Sequence, residues 1–302
     1  MTMSHRAKFV RWLTSGYMQK LDVANVPVET ARKHLESIAR MLLVKAVGVS
    51  VEPSEIAGIE VDWLRPKNAR EDKVLFYLHG GAYVIGSRRT HRQLVSHIAR
   101  EAGVTAVIPE YRLAPENPFP AAIDDAVAVY RALLESGFEP ENIVISGDSA
   151  GGGLSVAALL ALRHAGDPLP AAAVLLSPFL DVTASGESAT TRADQDPWFK
   201  VSDMAVVARY YCPDETKWRD PLVSPVFANV SGLPPMMIQV GDDEILLSDS
   251  TRLAEKLEAA GIDVEIEVWP DMWHVFPMFV GKMPEARRAV EKIGVYINKA
   301  IA

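Results

Sequence analysis

The chemical reading starts from five consecutive residues, Gly147-Asp148-Ser149-Ala150-Gly151. The pattern G-x-S-x-G sets a serine between glycines, which permits a sharp strand-to-helix turn that presents the hydroxyl. The flanks suit such a turn. A short apolar run at 143–145 precedes it, and an Ala/Leu-rich helical stretch at 150–164 follows. The N-terminus of that helix places partial positive charge beside any oxyanion formed at the serine. The bland alternative is a glycine-rich turn without chemistry; the strand-turn-helix setting favours a nucleophile.

A serine hydroxyl is a poor nucleophile unless a base takes its proton. In chains built on this turn, the acid and then the histidine follow the serine. Of the seven histidines, only His164 and His274 come after Ser149. His164 ends the helix that starts there; at 1.5 Å per residue it lies about 22 Å away, too far to act. His274 remains, in the loop Pro270-Asp271-Met272-Trp273-His274 after an apolar run at 264–269. The acid is expected between serine and histidine, after the run at 236–240. There Gly241-Asp242-Asp243-Glu244 offers three carboxylates, and some of them are expected to serve as loop or helix-cap acids. Asp181 is an outside candidate.

Upstream, His79-Gly80-Gly81-Ala82 follows a run at 74–78. Paired glycines let backbone N–H groups face a cavity without side-chain obstruction, which is how an oxyanion hole is built. Gly81, Ala82 and Ala150 are the expected donors, with His79 holding the loop by hydrogen bonds and not acting as a second base.

These residues need elements to position them. Apolar runs at 74–78, 104–108, 143–145, 173–176, 236–240 and 264–269 read as buried parallel strands, and 59–64 alternates as a half-buried strand. Helical spacing marks 90–101, 121–135, 150–164 and 248–260, with Gly103, Gly137, Gly166 and Gly261 where helices should end. Strand and helix alternate, so the class is α/β with helices on both faces of a sheet. Residues 183–220 break the alternation and read as an insertion. With helices in the first 45 residues it is expected to form a cap, since ligands bind beyond strand ends in open α/β sheets.

Composition narrows the function. The 302 residues carry 31 Lys plus Arg against 39 Asp plus Glu, a net charge of −8, which argues against a nucleic-acid partner. One cysteine, Cys212, excludes an internal disulfide and any Cys-built zinc site; it reads as a small packed residue. No apolar run is long enough to span a membrane. Arg6, Lys8 and Arg11 interrupt the first 20 residues, so no secretion signal is read and a cytoplasmic location is expected. Phe9, Trp12, Leu13 and Tyr17 recur there at helical spacing. They are expected to pack on the protein's own body, with a membrane-surface helix as the alternative.

With these motifs in hand, the chain resembles the bacterial hormone-sensitive-lipase-like esterases, an α/β-hydrolase family marked by an H-G-G-G loop upstream of G-D-S-A-G. Here the motifs read His79-Gly80-Gly81-Ala82-Tyr83 and Gly147 to Gly151; Tyr111-Arg112-Leu113-Ala114-Pro115-Glu116 and Pro118-Phe119-Pro120-Ala121-Ala122 match further segments. The likeness covers roughly residues 70 to 300. It implies an α/β-hydrolase fold with a mostly parallel sheet of about eight strands and a helical cap: cap helices at 1–45 and a catalytic domain at 46–302 carrying the 183–220 insertion. Two departures matter. Ala82 replaces the third glycine of the loop; its N–H survives, but its methyl narrows the cavity. The family's acid opens a D-P-L segment about 30 residues before the histidine, which lands on Glu244, with Asp243 a position early. Glu244 is therefore the expected acid and Asp243 the alternative.

The expected activity is hydrolysis of carboxylesters through an acyl-enzyme, needing no metal and no organic cofactor, and the resemblance implies short to medium acyl chains. Lactone or amide hydrolysis by the same machinery is the near alternative, and a non-catalytic binding protein on this fold the distant one. Tyr83, Trp198, Tyr210, Trp273 and Phe276 are candidate apolar lining residues. The run at 264–269 reads as a sheet edge, and the family implies a homodimer formed there.

Overall fold

In a computed structural model, which describes residues 3–18 and 25–302, the centre of the molecule is an eight-stranded sheet in the order β1-β2-β4-β3-β5-β6-β7-β8. The strands are β1 (Val49–Ile56), β2 (Ile59–Pro66), β3 (Arg70–Leu78), β4 (Val104–Pro109), β5 (Ile143–Asp148), β6 (Ala172–Leu176), β7 (Met236–Gly241) and β8 (Val264–Trp269). β1 pairs antiparallel with β2, and β2 antiparallel with β4; every pairing from β4 through β3 to β8 is parallel. The expected mostly parallel α/β sheet is therefore the one observed. β4, β5, β6 and β7 are buried along their whole length, which is why they read as continuous apolar runs. β1 escaped the sequence reading because Ser50, Glu52, Ser54 and Glu55 are exposed; its ladder with β2 holds it, not its own burial.

Nine helices are assigned among the described residues: α1 (His5–Met18), α2 (Val28–Leu42), α3 (Arg88–Ala102), α4 (Ala121–Glu135), α5 (Ala150–Ala165), α6 (Ser188–Thr191), α7 (Val201–Tyr211), α8 (Leu247–Ala259) and α9 (Pro284–Ala300). They divide over the two faces of the sheet. Along β3, Val74, Phe76 and Leu78 face one core and Leu75 and Tyr77 the other, as a period of two requires. The first core holds α4, α5 and α8; the second holds α3 and α9. Gly294 of α9 lies so close to Glu101 of α3 that a Cβ there would stand 2.9 Å from its carbonyl carbon. Glycine thus lets these two helices approach. A Ser87–Thr90 capping box starts α3, and Gly103 in the left-handed region ends it.

The N-terminal segment corrects one expectation. α1 packs on the body through Ala7, Val10 and Thr14, against a cluster that includes Trp273, Phe276 and Phe279. Of the four residues read from the sequence as the packed stripe, Phe9 and Trp12 instead face solvent, while Leu13 and Tyr17 are half-buried. Ser4 donates its N–H and hydroxyl to Glu285 at the start of α9, which fixes how α1 is seated. Among the described residues no helix is long and apolar enough to cross a membrane.

Candidate active site

Ser149 stands at the junction of β5 and α5 with φ +52° and ψ −123°, a conformation that a non-glycine residue holds only when its surroundings impose it. Two bonds impose it: the Ser149 N–H donates to the Leu176 carbonyl at 2.9 Å, and its own carbonyl accepts from Phe179 at 2.8 Å. The flanking glycines are required by contact. A Cβ at Gly151 would lie 2.0 Å from the Leu78 carbonyl oxygen, so only hydrogen lets the elbow sit against the end of β3.

His274 lies in the loop after β8 and is buried. Its Nδ1–H donates to Glu244 Oε2 at 2.9 Å; a carboxylate only accepts, so Nε2 is left with its lone pair. The second oxygen of Glu244 accepts from the Gly241 N–H at 2.5 Å and the Ser177 hydroxyl at 2.8 Å. Ser177 Oγ in turn accepts from Val275 N–H, so one serine ties the acid to the residue after the histidine. Ser149 and His274 line one cavity of about 190 Å³. No hydrogen bond joins the Ser149 hydroxyl to His274 among the described residues; such bonds often tighten only with substrate present.

The other carboxylates are committed elsewhere. Asp243 pairs with Arg11 of α1, Asp242 with Arg192, and Asp181 with Arg252, Thr183 and Ser185. Of the candidate acids, Glu244 is the one the tertiary structure brings to His274.

The loop after β3 forms the facing wall. Gly81 and Ala82 both have positive φ, +124° and +56°. Among the described residues neither of their N–H groups has an intramolecular acceptor, and both residues line the cavity. Beneath the loop is a buried polar cluster. Asp148 accepts from Tyr77 Oη at 2.8 Å and Gly80 N–H at 3.1 Å, and meets His91 Nε2 at 3.3 Å. One carboxylate thus links the residue before Ser149 to the residue before Gly81. Burial opposes the charged forms of both partners, but each outweighs it for the other: His91 is raised and Asp148 lowered from their ordinary values, the signature of an ion pair. His79 stacks on Tyr111 at 4.2 Å and bonds through Nδ1 to the Gly80 carbonyl. Burial, with His91 nearby, pushes it down to about 3, so it is neutral at ordinary pH.

The remaining walls come from distant parts of the chain. α1 contributes Thr14 and Tyr17, α2 contributes Leu35, Ile38 and Leu42, and the insertion contributes Trp198, Phe199, Met204 and Val207. Asp196 of the insertion accepts N–H bonds from Trp198, Phe199 and Ile245, the last being the neighbour of Glu244. Of the five aromatics expected to line the cavity, only Trp198 does. Tyr83 is stacked on Tyr211 at 3.7 Å, Trp273 and Phe276 pack beneath α1, and Tyr210 packs against the core. Phe179, Phe199 and Phe279 take their place. His91 and Ser177 escaped the sequence reading, since only the fold brings them to the motifs; Asp148 lies within one motif, but its bonds to Tyr77, Gly80 and His91 were not legible there.

Residues 75–278 match the family described as alpha/beta hydrolase fold. An acetyl-hydrolase of Streptomyces hygroscopicus is 44% identical over 256 residues, covering 83% of this chain and 85% of its own. The chain belongs to the bacterial hormone-sensitive-lipase-like esterases. An esterase of Acinetobacter venetianus is 36% identical over 272 residues, covering 90% of this chain and 89% of its own. The crystal structure of an esterase from the bacterial hormone-sensitive lipase family superposes with a TM-score of 0.93 at 42% identity, covering all of both chains. Gly81 and Ala82 of the loop after β3 and Ser149 of the turn after β5 line the same cavity.

Proposed function

We propose that this esterase cleaves short- to medium-chain acyl esters through an acyl-enzyme on Ser149, with His274 as base and Glu244 as the acid that orients it. The observation that carries the reading is the buried bond from Glu244 to His274, whose ring lines the cavity that Ser149 also lines. Ser149 Oγ attacks the acyl carbonyl carbon as His274 Nε2 accepts its proton. Glu244 keeps Nδ1 protonated, so Nε2 is free to accept, and stabilises the imidazolium that forms. The N–H groups of Gly81, Ala82 and Ala150 take the charge on the carbonyl oxygen; a donor of this kind contributes about 3 kcal/mol. His274 then gives its proton to the departing alkoxide. Water attacks the acyl-enzyme with His274 again as base, and collapse returns the proton to Ser149.

α1, α2 and the 183–220 insertion act as the cap, because all three supply walls of the cavity. The small cavity, the Ala82 methyl in its wall and the relative named an acetyl-hydrolase together support short acyl groups. A homodimer paired along the edge strand β8 and a cytoplasmic location complete the reading.

The test is hydrolysis of p-nitrophenyl esters over a series of acyl lengths, with Ser149→Ala alongside and a fluorophosphonate label on each. Turnover highest at short chains, with turnover and label both lost in the variant, is expected. Undiminished turnover or labelling in Ser149→Ala overturns the nucleophile assignment. Labelling of the wild type without ester turnover shifts the reading to lactones or amides.

A further inference from the structure

The outer face of α1 is built unlike the rest of the surface. Its inner face, Ala7, Val10 and Thr14, is buried against the body. On the opposite side Trp12 is 72% and Phe9 59% exposed, their ring centroids 6.1 Å apart. More than half of each residue's surface is left open to solvent. The helix also stands apart in charge: it carries Arg6, Lys8 and Arg11 and no carboxylate, in a chain whose net charge is −8. Arg11 is engaged by Asp243, while Arg6 and Lys8 are exposed and form no ion pair among the described residues.

The patch continues into a groove beside α1. Phe9, Leu13, Leu42 and Phe279 line it, with Arg6 and Lys282 at its rim. Met41 and Val44, next to Leu42, are 54% and 41% exposed and extend the apolar surface. Thr14, Leu42 and Phe279 serve both this groove and the cavity of Ser149, so a single layer of side chains separates the two.

We propose that this face docks the enzyme on an anionic lipid bilayer, with Trp12 and Phe9 entering the headgroup boundary and Lys8, Arg6 and Lys282 meeting acidic headgroups. Indole and phenyl rings favour that boundary, and flanking cations are drawn to its negative surface. A second copy of the chain is a poorer occupant. A two-fold contact through this patch would bring the cationic cluster of one copy, Arg6, Lys8 and Lys282, together with that of the other. Docking would hold the cap, and the cavity beneath it, at the surface where acyl esters partition. The assignment rests on the seating of α1 and stands apart from the roles proposed for Ser149, Glu244 and His274.

The experiment is flotation of the full chain with vesicles of phosphatidylcholine alone and of phosphatidylcholine mixed with phosphatidylglycerol, at low and high salt. The variants are Trp12→Ser, Lys8→Glu and the pair. Neither residue lines the cavity, so unchanged hydrolysis of dissolved p-nitrophenyl acetate certifies the fold. Wild type is expected to float with the anionic vesicles, to be released by salt, and to ignore the neutral ones. Lys8→Glu is expected to lower the partition coefficient at least about fivefold, and the pair to abolish flotation. No flotation of wild type, or flotation of the double variant equal to wild type, overturns the proposal. So does sedimentation showing an oligomer that Trp12→Ser dissolves, since the face would then be covered by a second copy.

Discussion

Replacing Glu244 by glutamine changes one atom and tests the proposed triad more sharply than deletion does. One oxygen of Glu244 is held by two donors, the Gly241 N–H at 2.5 Å and the Ser177 hydroxyl at 2.8 Å. The other accepts from His274 Nδ1–H at 2.9 Å. A carboxamide has only one oxygen. The hydroxyl of Ser177 can turn, but the Gly241 N–H cannot, and an NH2 group pressed against it would leave two buried donors face to face. The carboxamide of Glu244→Gln will therefore keep its oxygen on Gly241 and turn its NH2 toward His274. The imidazole must then accept at Nδ1 and carry its proton on Nε2, the atom that should take the serine proton. A histidine held in the wrong tautomer costs about a thousand- to ten-thousand-fold in kcat, or about 4 to 5.5 kcal/mol of barrier. The assay is kcat and KM on p-nitrophenyl acetate for Glu244→Gln, Glu244→Ala and Asp243→Asn. KM should change little, and Asp243→Asn should stay within about threefold of wild type because its partner is Arg11. Glu244→Gln retaining more than a tenth of wild-type kcat would refute the tautomer argument. A loss in Asp243→Asn equal to that in Glu244→Gln would move the acid to Asp243.

Other substitutions probe the supporting structure. Gly81→Ala would place a Cβ 2.0 Å from the Ile85 carbonyl oxygen at φ +124° and should cost about 3 kcal/mol or more by chemical denaturation; Ala82→Gly, at a φ glycine adopts freely, should keep both stability and turnover. Asp196→Ala removes the acceptor for three backbone N–H groups and should destabilise by about 3 kcal/mol, with a raised KM as the insertion loosens. Asp249 uses one oxygen to accept from Leu180 and Asp181, and burial pushes its carboxyl up to about 8. The folded state therefore holds a proton that the unfolded chain releases near pH 4, so this stabilisation is complete at acid pH and drains away as pH rises toward 8. Asp249→Asn can make the same two bonds without titrating, and should flatten the fall of Tm over that range; a wild-type slope retained in the variant would exclude Asp249 as its source.

The parts that were legible in the sequence are local or ordered along the chain. The elbow at 147–151 and the loop at 79–82 are contiguous, and each needs only its own turn geometry, so residue type and spacing suffice. His274 was found by order and helix length, since of the two histidines after the serine His164 ends the following helix, about 22 Å away. The buried strands announced themselves because both faces of the sheet are covered, which makes most of their positions apolar. What remained closed depended on the phase and seating of elements. Spacing ranked Glu244 above its neighbour Asp243 as the acid, but the turn after β7 decides that Asp243 meets Arg11 and Glu244 meets His274. Trp273 and Phe276 share a loop with His274 yet pack away from the cavity, while Phe179 and Phe199 reach it from segments that the sequence leaves unoriented. Phe9 and Trp12 have the spacing of a packed stripe, but α1 is anchored by Ser4 to Glu285 and Arg11 to Asp243, and those anchors turn the small residues inward. A helix's periodicity defines its faces; which face is buried is decided by the surface it lands on.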